Sequence, residues 1–163
     1  MIDVTALGEL LIDFTPRQNS ERGNLTFEAN PGGAPANVLA ALSKLGKKTA
    51  FIGKVGSDTF GQLLKKTLQD AGIQTDGLSM SDQFFTTLAF VTLDSDGNRS
   101  FAFSRNNSAD VMLEESEVDE NLIRRSKIFH CGTLSLTHPS CRQATGFAPF
   151  SGSIASTRST RRP

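Results

Sequence analysis

Gly32-Gly33-Ala34-Pro35-Ala36-Asn37 sets a diglycine at the mouth of a helix. Two glycines let backbone approach a ligand closely, and the first-turn N–H groups of a helix are unpaired donors. Asn37 adds a side chain that donates and accepts at once, which suits a polyol better than a phosphate. The same residues also describe a plain tight turn with a helix cap. Asp13 closes an apolar run of strand length, Val4 to Ile12, and ligands of open α/β sheets bind at that end of the strands. A carboxylate there can accept two hydroxyl hydrogen bonds from a sugar; the plainer alternative is an exposed turn residue. Arg105, in Phe103-Ser104-Arg105-Asn106-Asn107-Ser108-Ala109-Asp110, directly follows an antiparallel hairpin. It is placed to reach over a pocket as a lid contact, with Phe103 against a ligand face, or to stand as a solvated charge after a strand.

Other matches fail on spacing. Leu45-Gly46-Lys47-Lys48-Thr49 resembles the end of a Walker A loop, but Ala41 stands where its first Gly belongs and Lys48 interrupts the ending. Asp94-Ser95-Asp96-Gly97 resembles a calcium loop without the later Glu, and reads as a hairpin turn. His130, Cys131, His138 and Cys141 have no zinc-site spacing, and His130 and Cys131 would point to opposite faces of a strand. No metal site is expected from them.

The elements that must position the candidates follow from periodicity. Val4–Ile12 is nearly all apolar, as in a strand covered on both faces of a parallel sheet. Residues 15–31 read as loop with an edge strand at Leu25–Phe27. A helix follows in which Pro35 suits the first turn, Val38, Ala41, Leu42 and Leu45 share a face, and Gly46 is the stop. A strand at Ala50–Gly53 precedes a helix from Asp58, a good N-cap, to Gly72, with Phe60, Leu64 and Leu68 on one face. Strand, helix, strand, helix predicts a parallel α/β layer. Thr87–Leu93 and Arg99–Phe103 then form an antiparallel hairpin turning at Asp96-Gly97. A helix is expected over Ser116–Ser126, where Val118 and Leu122 align and Asp119 closes a capping box on Ser116. Ile128–Gly132 reads as a buried strand, and Thr137-His138-Pro139 opens a helix whose pattern breaks off after Thr145.

Composition narrows the classes. The 163 residues allow one ordinary domain, and 17 basic against 17 acidic side chains remove the electrostatic case for nucleic acid or acidic membranes. Met1-Ile2-Asp3 lacks the basic start of a signal peptide, and no apolar stretch reaches membrane-span length. With only two cysteines, a reducing cytoplasm is the expected location. The balance of charge is uneven: residues 146–163 carry Arg158, Arg161 and Arg162 and no acid, so the rest is mildly acidic. Six of those last 18 residues are Ser or Thr and no apolar period runs through them, the composition of a disordered tail.

Ala6-Leu7-Gly8-Glu9-Leu10-Leu11-Ile12-Asp13-Phe14, Pro31-Gly32-Gly33-Ala34-Pro35-Ala36-Asn37-Val38 and Phe51-Ile52-Gly53-Lys54-Val55-Gly56-Ser57-Asp58-Thr59-Phe60-Gly61 closely resemble the PfkB (ribokinase-like) carbohydrate kinases, with Leu39 where a smaller residue is usual. The segments 87–93, 105–110 and 128–136 are most similar to fructokinase-like members. The resemblance runs from residue 2 to about 145. It implies a three-layer α/β/α domain with a small β-sheet lid built from the strand at 25–27 and the hairpin 87–103. Asp13, Gly32, Gly33 and Asn37 correspond to positions that hold sugar hydroxyls, and Arg105 to a lid-side substrate contact. The implied reaction moves the γ-phosphoryl of ATP, with Mg2+, to a primary hydroxyl of a sugar, and the lid implies a homodimer interface. Ribose, a nucleoside or 2-keto-3-deoxygluconate are alternative substrates, and a non-catalytic sugar-binding or dimerising module is the alternative outside the kinases. The Gly-Ala-Gly-Asp motif that supplies the family's base and anion hole does not occur here, so no catalytic residue and no nucleotide site are assigned to the chain. It reads as the sugar-binding half of a kinase, residues 1–145, inactive alone, with an unrelated or frameshifted segment at 146–163. Its last strand, near Ile128–Cys131, should then form an open apolar edge, with low solubility the expected consequence. Reading the nucleotide sequence past codon 145 in the other two frames should reveal Gly-Ala-Gly-Asp; its absence from both would contradict the frameshift.

Overall fold

The apolar run that opens the chain is split. In the computed structural model, which describes residues 1–93 and 99–147, β1 (Ile2–Leu7) and β2 (Leu11–Arg17) belong to two different sheets. The break falls at Gly8-Glu9-Leu10. There the Gly8 amide donates to the Ile52 carbonyl at 3.1 Å, and its missing side chain leaves room for the Pro35 ring. Apolar continuity reports burial, not direction: Leu10, Leu11 and Ile12 stay buried after the turn because a second layer covers them. Asp13 therefore lies inside a lid strand, not at the end of a main-sheet strand.

The main sheet is parallel, in the order β5 (Ile73–Ser81), β4 (Thr49–Gly56), β1, β8 (Ser126–Cys131). Alternate side chains feed two cores. Val4, Ala6, Phe51 and Val55 meet Leu39 of α1 (Ala34–Lys44) and Leu64 and Leu68 of α2 (Thr59–Asp70). Leu7, Ala50 and Ile52 meet Leu122 and Ile123 of α3 (Glu120–Arg124) and Cys141 and Ala144 of α4 (Pro139–Phe147) on the other face. Three layers result, as the resemblance implied. The second sheet is the lid, in the order β3 (Thr26–Gly32), β2, β6 (Thr87–Leu93), β7 (Arg99–Ser104). The expected hairpin is β6–β7, but the lid also recruits β2, and the edge strand at 25–27 extends to Gly32. The turn at Asp96-Gly97 lies outside the described residues.

Several elements depart from expectation for identifiable reasons. The buried residues of α1 are Pro35, Ala36 and Leu39, while Val38 and Leu45 are 40% and 73% exposed. Contacts to Gly8 and Glu9 anchor its first turn and set that rotation. Residues 116–126 do not make one helix: a short 3-10 turn at Glu115–Glu117 precedes α3, and Asp119 caps α3 by accepting from the Asn121 and Leu122 amides. The capping box forms instead between Glu114 and Glu117. Strand β5 carries little apolar signal because it is an edge strand pairing only with β4. Strand β8 reads as buried from its own apolar run but sits at the opposite edge with Ile128 59% exposed, the open apolar edge expected near Ile128–Cys131. Helix α4 continues to Phe147, past the expected break at Thr145; the tail from residue 148 lies outside the described residues. No helix among the described residues is long and apolar enough to cross a membrane.

Asp58 joins the two sheets. Its carboxylate accepts from the Gly61 amide at 2.9 Å, capping α2, and from the Thr86 amide and hydroxyl at 2.7 and 2.9 Å at the entry to the lid. Burial alone would raise its pKa, but the hydrogen bonds from Thr86 and Gly61 prevail and hold it below the ordinary value. Asp58→Ala should cost about 1–3 kcal/mol at neutral pH. Because a depressed carboxylate stabilises only while ionised, the difference from the unchanged chain should shrink as pH falls through its folded-state pKa, which urea melts at two pH values will show.

Candidate functional site

The end of β1 and the start of α1 meet through one side chain. Gly33 caps α1 with φ 118°, a region L-residues rarely enter, and offers no side chain to accept from the first-turn amides. A Cβ there would run into the Glu9 carbonyl oxygen and stand 3.2 Å from Leu10 Cα. Glu9 is 2% exposed, and its Oε1 accepts from the Ala34 amide at 3.0 Å. Its Oε2 has no hydrogen-bond partner among the described residues. Gly132, just beyond β8, closes over that oxygen; a Cβ there would lie 2.6 Å from it. Burial pushes the Glu9 carboxyl above its ordinary pKa, while the bonds from its own amide and Ala34 and the Arg105 charge pull it back.

Asp13 stands on the lid. The strand registers pair it with Asn30 on β3 and Ala89 on β6, and pair Ala89 with Phe103 on β7. Paired residues share a face, so these four form one row. Gly32 lies beside it, and a Cβ there would overlap the Asp13 carboxylate. The carboxylate is half-buried and accepts no hydrogen bond from a described residue; burial raises its pKa. Asn37, on the second turn of α1, bonds the Gly33 carbonyl through its amide at 3.0 Å and leaves its exposed side chain unengaged by described residues. The opposite lid face is the structural one. Phe14 stacks on Phe90 at 5.1 Å and meets Phe60 of α2 edge-on at 5.6 Å. A cleft of about 440 Å³ lined by Phe60, Leu88 and Ser104 lies on that structural side, away from Asp13.

Arg105 is not a solvated charge. Its Nε donates to Asp110 Oδ2 at 2.8 Å, with Nη2 2.7 Å from the same oxygen in the ion pair, while Nη1 donates to the Thr137 hydroxyl at 2.9 Å and Nη2 to the Leu134 carbonyl at 3.0 Å. Asp110 is 1% exposed at its side chain, and its other oxygen accepts from the Thr87 and Ser108 hydroxyls. Arg105 thus ties the exit of the lid to the loop after β8, the loop whose Gly132 packs on Glu9. Asp13 lies beside Gly32, and Gly33 and Asn37 follow at the start of α1, whereas Arg105 reaches this junction through the loop after β8 and through its charge on Glu9.

The family model described as pfkB family carbohydrate kinase matches residues 1–150. The chain belongs to the pfkB family of carbohydrate kinases. It is 48% identical over 143 residues to a probable fructokinase-5 of Arabidopsis thaliana, covering 86% of this chain and 44% of that one. Fructokinase-2 of Oryza sativa subsp. japonica is 48% identical over 145 residues, with 86% and 43% covered. A crystal structure of fructokinase from Xylella fastidiosa superposes with a TM-score of 0.80 at 34% identity, over 89% of this chain and 47% of that one. The chain therefore spans less than half the length of these relatives.

In this pfkB chain the sequence reading missed Glu9, Thr87, Ser108, Asp110 and Gly132. Glu9 had one signal, a lone charge inside an apolar run, and Asp110 another, an acid five residues after Arg105. A Xylella fastidiosa fructokinase has been solved with bound ATP. Here no three His, Cys, Asp or Glu side chains converge among the described residues, and no Gly-Ala-Gly-Asp occurs in the sequence. At the α1 mouth the geometry makes a direct demand on Gly33. Gly33→Ala should lower stability by about 1–3 kcal/mol in denaturant melts, whereas Val38→Ala, on the exposed face of α1, should stay within about 0.5 kcal/mol.

Proposed function

We propose that the chain is the sugar-binding part of an ATP-dependent sugar kinase of the fructokinase type, in which the γ-phosphoryl of ATP passes to a primary hydroxyl of the sugar. The observation that carries this is Asp13, a half-buried carboxylate with no donor from a described residue, on the lid face opposite the aromatic packing. Removing a carboxylate from water and leaving it unbonded is costly, and two sugar hydroxyls supply the missing donors. Gly32 keeps the space beside it open. Gly33 brings backbone close to the ligand, and Asn37 donates to one hydroxyl while accepting from another. Phe103, in the same row as Asp13, offers a flat face to the ring carbons. Arg105 stands at the lid exit as the contact on the other side. Binding of this kind serves phosphoryl transfer by orientation: a sugar gripped at several hydroxyls presents its remaining primary hydroxyl in a fixed direction. The names of the relatives, fructokinases for the most part, support fructose as the sugar.

Ligand-observed NMR of the full 163-residue chain with fructose tests the reading. Asp13→Asn should weaken fructose binding at least about tenfold, since an amide replaces one acceptor with a donor. Fructose affinity of the unchanged chain should fall on acidification, beginning above the ordinary aspartate range, because protonation removes the acceptor and the folded carboxyl protonates early. Equal fructose binding by the unchanged chain and by Asp13→Asn would sink the assignment. Ribose and adenosine in the same titration separate the alternative substrates, and no fructose phosphorylation is expected from the chain alone with ATP and Mg2+.

A further inference from the structure

We propose that Asp110 sets the substrate class of this site: by holding Arg105 in a buried ion pair, it denies the guanidinium to an anionic ligand and reserves the site for uncharged sugars. The inference rests on the sugar-site reading above and adds which sugars enter. An arginine beside a hydroxyl-binding carboxylate is the natural place for a sugar acid to dock, because a planar guanidinium binds a carboxylate through two parallel hydrogen bonds. Here that fork is spent. Nε donates to Asp110 Oδ2 and Nη2 lies 2.7 Å from that oxygen, so the Nε/Nη2 edge a ligand carboxylate would use faces Asp110, while Nη1 and Nη2 donate to Thr137 and Leu134. Arg105 keeps 13% of its side-chain surface and Asp110 only 1%, so the pair is shielded from water and its partners are not readily exchanged. Thr87 and Ser108 donate to the remaining Asp110 oxygen, which holds the carboxylate in the orientation that engages Arg105.

The charge around the pocket points the same way. Two carboxyl groups, Asp110 and Glu9, feel the one guanidinium, and its charge is matched by the Asp110 ion pair. Lys54, a buried cation of the main sheet, is paired with Glu117 at 2.8 Å and bonded to the Met112 carbonyl, so it supplies no second positive charge. A ligand carboxylate would enter a field already negative and find no free donor fork. A neutral polyol meets neither obstacle, since its hydroxyls donate to Asp13 and need from Arg105 at most an N–H edge. Asp110 acts here as a positioning and specificity residue, without touching the sugar.

The test compares fructose with gluconate, a sugar acid, by ligand-observed NMR on the full chain, on Asp110→Asn, and on Asp110→Asn combined with Arg105→Gln, each checked for a cooperative melt. The unchanged chain should bind gluconate at least about tenfold more weakly than fructose. Asp110→Asn keeps the shape and an acceptor for Arg105 while removing the charge, so gluconate binding should rise at least about tenfold with fructose binding altered far less. The double variant should lose that gain, which a merely structural role for Asp110 would not produce. Gluconate bound as tightly as fructose by the unchanged chain overturns the inference, whether or not the variants fold. A folded Asp110→Asn with unchanged preference overturns it too, leaving the sugar-site reading standing. Binding of neither ligand by the unchanged chain would remove both.

Discussion

One buried carboxylate ties the layers of this chain together. Glu9 sits in the three-residue crossing from main sheet to lid, accepts from the first amide of α1, and lies under Gly132 at the end of β8. Its neighbours have lost their side chains where it needs them lost. Gly33 has no Cβ to meet its carbonyl, and Gly132 has none to meet its Oε2. The negative charge at a helix N-terminus is favourable, which offsets part of the burial that raises its pKa. The direction of β2, the rotation of α1 and the position of the diglycine all follow from this junction, because each is packed directly on it.

The site then sorts its acids by their partners. Asp110 is satisfied on both oxygens, by Arg105 on one side and by Thr87 and Ser108 on the other. Glu9 is satisfied on one oxygen only, with the second shut in by glycine and proline. Asp13 has no partner among the described residues and keeps partial access to solvent. The acids thus run from fully bonded to unbonded: Asp110 and Glu9 hold neighbouring elements together, and Asp13 holds none. Lid architecture supports that division. The Phe14, Phe90 and Phe60 rings press one lid face onto α2, which leaves the Asp13 face free of packing duty.

What could be read in advance was what depended on near neighbours. The Asp58 cap, the Leu64 and Leu68 face of α2, the β6–β7 hairpin and the diglycine at a helix mouth are set within a few residues of themselves, and all stand in the fold. Elements whose form depends on distant contacts were not legible. A run as apolar as residues 4–12 gives no hint that Gly8 turns the chain, because the cause is Pro35, well downstream. The face of α1 follows the same rule: of the stripe Val38, Ala41, Leu42 and Leu45, only Leu42 packs against the core, because the first turn is pinned by Glu9 and Gly8 and the other three face outward. Polar β5 escaped notice since an edge strand needs few apolar residues. Of the site, the four residues at the α1 mouth were named on local chemistry and resemblance. Asp110 was not, because its role exists only through Arg105.

The α1 mouth and the main sheet depend on the same edge. Every contact that shapes the α1 mouth closes within the described residues: Glu9 with Ala34, Gly33 with Leu10, Arg105 with Asp110 and Leu134. The loop that supplies Leu134, Thr137 and Gly132 hangs from β8, however, and β8 pairs on one side only, with Ile128 59% exposed on an open edge. An unpaired parallel edge exposes both ladder groups and apolar side chains, so β8 is the element from which fraying should start. Loss of β8 would release Gly132 from Glu9 and Leu134 from Arg105 together, freeing the buried carboxylate and guanidinium at the α1 mouth. Whatever covers the β8 edge would thus stabilise the α1 mouth as well as the sheet, through the contacts of Gly132 with Glu9 and of Leu134 with Arg105.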